Sequence, residues 1–115
     1  MSKRGVTCHV LDTSSGRPAA GVSVRLERRD AAHHWLAVGQ ADTNADGRIL
    51  TFDPPSELMP GEHRVSFDTA SYLARQGQPI FYPRVEVTFL VASGTEHYHI
   101  PLLLSPFGYS TYRGS

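Results

Sequence analysis

The sequence predicts an all-β protein built as a sandwich of two sheets, and two kinds of pattern support this fold class. Apolar and polar residues alternate in several short segments, among them residues 6–10, 22–26 and 85–91. Turn-forming residues separate these segments, as at residues 14–18 and 44–47. Alternation with a period of two is typical of strands with one buried face. About seven or eight short strands at this spacing indicate a two-sheet sandwich.

One segment departs from the alternation and predicts the single helix of the chain, over about residues 69–76. Asp68 can act as its N-cap, and Gly77 suits the position just past its end. Ala70 and Leu73 would share the face that packs on the sheets. No repeat or linker interrupts the pattern elsewhere, so residues 1–115 are expected to form one domain.

Charge and composition exclude several classes of function. The 11 Lys and Arg balance the 11 Asp and Glu, which argues against nucleic acid as a partner. No apolar run reaches the roughly 20 residues that span a membrane. Lys3 and Arg4 are not followed by the apolar segment of a secretory signal, so we expect a cytoplasmic protein. Cys8 has no Cys partner, and a lone Cys in an apolar strand is more often a packing residue than a nucleophile.

The last predicted strand, residues 97–104, has apolar side chains on both faces. Pro101 lacks an N–H donor and suits an edge or an irregular position. Leu102, Leu103 and Leu104 follow it without alternation. One face can enter the core and the other needs a cover, which favours a subunit interface. The tail that follows carries three aromatic rings, so we expect it to be ordered.

Three of the six histidines are expected to face solvent. His33 and His34 lie in a polar stretch, and His63 follows the turn at residues 60–61. Their surroundings give no sign of a reactive site.

The other three histidines share strand faces with polar residues. His9 lies with Thr7 and Leu11 opposite the apolar face of its strand, and His97 and His99 share one face of the last strand. Two such strands can build an acid–base site, because imidazole titrates near neutrality, or they can simply form a polar outer face. A zinc site from His9, His97 and His99 is conceivable, but the sequence lacks the usual ligand spacing, so no metal is expected.

Arg48 follows a tight Asp-Gly turn and begins a strand through residues 49–52. It shares a strand face with Leu50. It is either an exposed cation at a strand end or a planar donor for a flat anionic ligand.

Several motifs together resemble the transthyretin-like family along nearly the whole chain, in order. They lie at residues 8–12 (CHVLD), 16–19 (GRPA), 21–22 (GV), 43–48 (TNADGR), 81–83 (FYP), 97–106 (HYHIPLLLSP) and 112–115 (YRGS). The tail, with His9, Arg48 and His99, is similar to the 5-hydroxyisourate hydrolase branch of that family.

This resemblance implies a transthyretin-like (prealbumin-like) β-sandwich of two four-stranded antiparallel sheets with one short helix. It also implies a homotetramer, a dimer of dimers, with sites in the channel between dimers. The implied reaction is hydrolysis of an amide C–N bond in the six-membered ring of 5-hydroxyisourate. The product would be 2-oxo-4-hydroxy-4-carboxy-5-ureidoimidazoline, on the route from urate to allantoin, formed without a cofactor.

The resemblance also implies roles for individual residues. His9, Arg48 and His99 would be catalytic, with either histidine as the base and Arg48 as the oxyanion donor. His9 and Arg48 would also bind substrate, and the same role falls to the tail residues Tyr112, Arg113, Gly114 and Ser115. Two other classes stay open on sequence alone: a carrier that binds a ligand in the channel without chemistry, and a purely structural sandwich.

Overall fold

The computed structural model describes residues 5–115, and within them the chain forms nine strands and one helix. The basic start at Lys3 and Arg4, and with it the first part of the predicted domain, lies outside the described residues. The elements are β1 (Gly5–Asp12), β2 (Arg17–Pro18), β3 (Ser23–Arg29), β4 (Trp35–Asp42), β5 (Arg48–Ile49), β6 (Gly61–Phe67), α1 (Thr69–Arg75), β7 (Val85–Val91), β8 (His97–Ser105) and β9 (Gly108–Thr111).

The strands form two sheets, which confirms the predicted sandwich. One sheet has the order β4-β3-β6-β7 and is antiparallel throughout. The other has the order β2-β1-β8-β9, and β5 joins it on β1. This sheet has five strands rather than the predicted four. The extra strand arises because β2 pairs with the end of β1 at Leu11 and Asp12, while β5 pairs with its middle at Cys8 and His9.

The prediction that all strand pairs are antiparallel is wrong for one pair. β1 and β8 run parallel, from the pair Gly5–His97 to the pair Asp12–Leu104. The sequence pattern missed this because alternation reports which face of a strand is buried and not the direction of its neighbour. The parallel pairing matters for function because it places the first strand directly beside the strand that carries His99.

The core lies between the two sheets and is filled by the apolar face of each strand. Phe67 from one sheet and Leu102 and Leu104 from the other are almost completely buried. Cys8 is also fully buried, and this burial raises the pKa of its thiol far above the ordinary value. The thiolate is therefore strongly disfavoured, and Cys8 is a packing residue, as its strand position predicted.

The predicted helix is confirmed and closes one side of the sandwich. The Asp68 side chain caps its first turn by accepting a hydrogen bond from the Ser71 amide at 3.1 Å. Tyr72 and Leu73 are buried against the sheets. The Tyr72 hydroxyl donates to Asp12 at 2.7 Å, which ties the helix to the end of β1. None of the helical segments within residues 5–115 has the length and apolar character to cross a bilayer.

Two local predictions are wrong. His63 does not face solvent: it is 1% exposed, and its Nδ1 lies 3.0 Å from the Gly61 carbonyl oxygen. It belongs to the core face of β6 because it shares the alternation of Val65 and Phe67. The strand expected after Arg48 is only two residues long. His33 and His34 are exposed, as expected.

Candidate active site

Arg48 and His9 are direct neighbours across two paired strands. They are Cα partners in the antiparallel pairing of β5 with β1. Paired residues point to the same face of a sheet. Both side chains therefore lie on the outer face, opposite the face that carries buried Cys8. His9 is partly buried and Arg48 is exposed. The structure therefore places an imidazole and a guanidinium side by side on an accessible surface.

The turn before β5 holds Arg48 in this position. The side-chain oxygen of Asn44 accepts hydrogen bonds from the amides of Asp46 at 2.9 Å and of Arg48 at 3.0 Å. Gly47 has φ 72°, and a Cβ there would collide with the Val10 carbonyl oxygen. The Asp-Gly signal predicted the turn, whereas the positioning role of Asn44 was missed. Asn and Asp side chains that accept from amides two residues on are a common turn device, and this was the available signal.

His99 joins the same outer face through β8. Its Cα partner on the parallel strand β1 is Thr7, two residues before His9. The Thr7 hydroxyl oxygen lies 2.7 Å from Nδ1 of His99 and 2.8 Å from Nε2 of His97. The two imidazoles stack with 6.1 Å between ring centroids. The sequence had placed Thr7 and His97 on these faces without assigning either of them to the site.

The tail runs back along β8 and reaches His99. After β9 ends, the Gly114 amide donates a hydrogen bond to the His99 carbonyl oxygen at 2.9 Å. A Cβ at position 114 would overlap the His99 ring, so only glycine allows this approach. Ser115 follows and is exposed. Gly114 is thus brought to the candidate site by the backbone, as the sequence hypothesis required.

Arg113 and Tyr112 do not join His9 and Arg48 in the isolated chain. The Arg113 guanidinium stacks over the Tyr98 ring at 4.6 Å and donates to the His97 carbonyl oxygen at 3.2 Å. Tyr98 belongs to the core face of β8, opposite His97 and His99. Tyr112 and Arg113 line a cavity of about 270 Å³ with Tyr98 and other apolar residues. Arg113 therefore anchors the tail in the isolated chain, and its role in substrate binding stays a prediction.

The electrostatics of the site favour a neutral imidazole at His9. Partial burial lowers the pKa of His9 below its ordinary 6.5, and the positive charge of Arg48 lowers it further. A hydrogen bond with the Asp46 backbone and the charge of Asp46 act in the opposite direction but do not reverse the effect. A histidine that is neutral at pH 7 has a free lone pair and can accept a proton.

The described part of the chain contains no group of side chains that could bind a metal ion. Within residues 5–115, no three His, Cys, Asp or Glu side chains lie close enough together to hold an ion. The chemistry on this face is that of three imidazoles, one hydroxyl and one guanidinium.

Comparison with known proteins identifies the family. A family model described as the HIUase/Transthyretin family matches residues 6–114. The chain belongs to this family. It is 47% identical over 111 residues to a Mus musculus 5-hydroxyisourate hydrolase, covering 96% of this chain and 94% of that relative.

Solved structures with the same fold include both a hydrolase and a transthyretin bound to thyroxine. A Klebsiella pneumoniae 5-hydroxyisourate hydrolase superposes with a TM-score of 0.82 at 36% identity, covering 96% of this chain and 98% of that one. Sea bream transthyretin in complex with thyroxine superposes with a TM-score of 0.88 at 33% identity, covering 95% and 93%. Backbone similarity therefore does not separate hydrolysis from ligand binding.

Proposed function

We propose that this chain is a hydrolase that opens the six-membered ring of 5-hydroxyisourate. The reaction yields 2-oxo-4-hydroxy-4-carboxy-5-ureidoimidazoline, an intermediate between urate and allantoin. The adjacency of His9, Arg48 and His99 on one accessible sheet face carries the proposal. The high identity to a mammalian 5-hydroxyisourate hydrolase supports the choice of substrate.

The reaction adds water across an amide bond of the ring. The water oxygen bonds to the carbonyl carbon, the C–N bond breaks, and the products are a carboxyl group and a ureido N–H. One imidazole takes a proton from the attacking water, and the resulting imidazolium can protonate the leaving nitrogen. His9 suits the first step because its lowered pKa keeps it neutral near pH 7. His99 suits either step, and no covalent intermediate is required.

Arg48 supplies the positive charge of the site. The negative charge that develops on the carbonyl oxygen during attack needs a donor that is already in place. A guanidinium offers N–H groups in a plane, which match the in-plane oxygens of a flat heterocycle. The turn at Asn44 and Gly47 fixes the Arg48 backbone, so its side chain leaves the strand beside His9 before substrate arrives.

The site is proposed to be completed in a homotetramer, a dimer of dimers with a channel over the outer sheet face. In the isolated chain this face is open, and Arg48 on it is exposed. The tail rings Phe107, Tyr109 and Tyr112 are 67%, 44% and 61% exposed, so their expected burial requires a second copy. Tyr112 and Ser115 would then contact substrate from the closed channel. The cytoplasm remains the proposed compartment.

A carrier is the second function that the fold allows. The sea bream transthyretin was solved in complex with thyroxine, and it shares this backbone closely. A channel built only to hold a hydrophobic ligand has no need for two imidazoles and a guanidinium on one face. The side chains therefore favour the hydrolase over the carrier.

A spectroscopic assay tests the proposed function. 5-Hydroxyisourate is generated from urate with urate oxidase, the purified chain is added, and the ultraviolet decay of the intermediate is followed. We expect the decay to accelerate in proportion to protein concentration. A decay that equals the spontaneous rate, combined with saturable thyroxine binding, would instead support the carrier.

A further inference from the structure

The hydroxyl of Thr7 joins two imidazoles at the candidate site. Its oxygen lies 2.7 Å from Nδ1 of His99 and 2.8 Å from Nε2 of His97. Thr7 is buried, with 9% of its surface exposed, so water competes little for these contacts. The strand register sets the arrangement, because Thr7 is the Cα partner of His99 and Gly5 is the partner of His97.

The number of available protons restricts how the two hydrogen bonds between these three side chains can be directed. A threonine hydroxyl has one proton to donate, and it can accept from other donors. It donates to only one of the two imidazoles, so the other imidazole must donate to it. If Thr7 donates to His97, then Nδ1 of His99 carries a proton. If Thr7 donates to His99, then Nε2 of His97 carries the proton instead.

We propose that His97 is a positioning residue that acts through Thr7 to hold His99 with its proton on Nδ1. In this arrangement neutral His97 carries its own proton on Nδ1 and accepts the Thr7 hydrogen bond at Nε2, so Thr7 accepts from Nδ1 of His99. Nε2 of His99 then has a lone pair that can take a proton from water. The role rests on the proposed hydrolase function, in which His99 exchanges that proton.

Protonation of His97 reverses the direction of both hydrogen bonds made by the Thr7 hydroxyl. A doubly protonated His97 donates at Nε2, so Thr7 must turn and donate to Nδ1 of His99. The neutral form of His99 then carries its proton on Nε2 and no longer acts as a base there. Protonation of His97 would therefore remove the Nε2 lone pair of His99 from the reaction.

Charged and titratable groups on several neighbouring elements surround these three hydrogen-bonded side chains. His9 lies two residues from Thr7 on β1, and Arg48 lies across from His9 on β5. On the tail side, Arg113 donates to the His97 carbonyl oxygen and approaches Glu96 at 3.4 Å. Neutral His97 meets the needs of the proposal in its Nδ1–H tautomer, whereas the Nε2–H tautomer would donate to Thr7 instead.

The direct test is the tautomer of His99, read from nitrogen chemical shifts of ¹⁵N-histidine-labelled protein. We expect the Nδ1–H form in the wild type, and a shift towards the Nε2–H form in Thr7→Val and in His97→Phe. Thr7→Ser and His97→Gln should preserve it, because a hydroxyl and an amide oxygen remain in place. Thr88→Val, an exposed threonine in β7, is the matched control. An Nε2–H form in the wild type, or an unchanged tautomer in both disruptive variants, would overturn the proposal.

Kinetics provide the second readout. Thr7→Val and His97→Phe should lower kcat by about 10–100-fold, as is typical when a residue behind a reactive imidazole is lost, with little change in KM. His97→Gln should retain most of kcat and change the shape of the acidic limb of the pH profile, because the amide does not titrate. Full kcat in Thr7→Val would contradict the role. If the wild type fails to accelerate 5-hydroxyisourate decay, the proposed function fails, while the nitrogen spectra still decide the tautomer.

Discussion

Gly114 lies against the imidazole of His99, and its amide donates to the His99 carbonyl oxygen at 2.9 Å. A methyl group at position 114 would overlap the ring. Because Gly114 has no side chain, the His99 ring can occupy the position beside the tail. This relationship explains why a tail remote in sequence from β1 belongs to the same site.

Substitution of Gly114 should displace His99 without unfolding the protein. In Gly114→Ala the ring must move, and a shift of about 1 Å in a reactive group can cost about 10²-fold in rate. We expect kcat/KM for 5-hydroxyisourate to fall by about that factor while the circular dichroism spectrum stays unchanged. Gly108→Ala is the control, because its Cβ would lie 3.7 Å from the nearest atom, the Ser105 hydroxyl oxygen. Equal activity of the two variants would contradict the packing argument.

Arg113 is expected to act as an anchor of the tail. Arg113→Ala removes the stacking on Tyr98 and the bond to the His97 carbonyl oxygen. Hydrogen exchange in residues 108–115 should become faster, and kcat should fall by about 10-fold as Gly114 loses its support, an effect typical of lost supporting contacts. Arg84→Ala, at another exposed arginine, should change neither. If hydrogen exchange in the tail is unchanged and KM is raised, Arg113 contacts the substrate directly and does not act as an anchor.

Arg48 should control the protonation of His9. Its charge is one of the two causes that lower the His9 pKa. In Arg48→Gln the His9 pKa, followed by NMR titration, should rise towards the ordinary 6.5. The wild-type acidic limb of kcat/KM should accordingly lie below pH 6.5 where His9 is the base. A His9 pKa that stays constant or falls in Arg48→Gln would show that the two side chains do not interact.

Buried His63 should make the fold sensitive to acid. Burial lowers the pKa of His63, while a hydrogen bond with the Gly61 backbone partly opposes this. The unfolded chain, with the ordinary pKa of 6.5, then binds a proton at a higher pH than the folded chain. His63 therefore costs no stability above that pH and destabilises the fold progressively as the pH falls below it.

The measurement is the midpoint of thermal unfolding between about pH 7.5 and about pH 5. The wild-type midpoint should drop as the pH is lowered, and His63→Gln should show a smaller drop from a lower starting value. His34→Gln, at an exposed histidine, is the control and should follow the wild type. A slope in His63→Gln as steep as that of the wild type would exclude this residue as the cause.

Much of the site could be predicted from local sequence because local rules determine it. The Asp-Gly turn placed Arg48 at the start of a strand, and alternation placed His9 on the outer face of β1. The same rule could have found His63, which shares the alternation of Val65 and Phe67. The preceding Pro-Gly turn suggested exposure instead, and the tertiary packing overrode that local signal.

The remaining features depend on contacts between distant segments. The parallel pairing of β1 with β8, which brings Thr7 to His99 and His97, leaves no trace in alternation. The stacking of Arg113 on Tyr98 depends on where the tail leaves the sheet edge and on the position of the Tyr98 ring. Such features follow from topology, and a single sequence read for local patterns does not contain them.

The most direct test of the account is the loss of 5-hydroxyisourate hydrolysis in Arg48→Ala, measured beside the wild type in the ultraviolet decay assay. Removal of one preorganised donor should lower kcat by about 10²–10³-fold. His9→Ala and His99→Ala should likewise remove most of the activity. Size-exclusion chromatography with light scattering should show the same assembly in all four proteins. Wild-type rates in all three variants would contradict the assignment of catalysis to this sheet face.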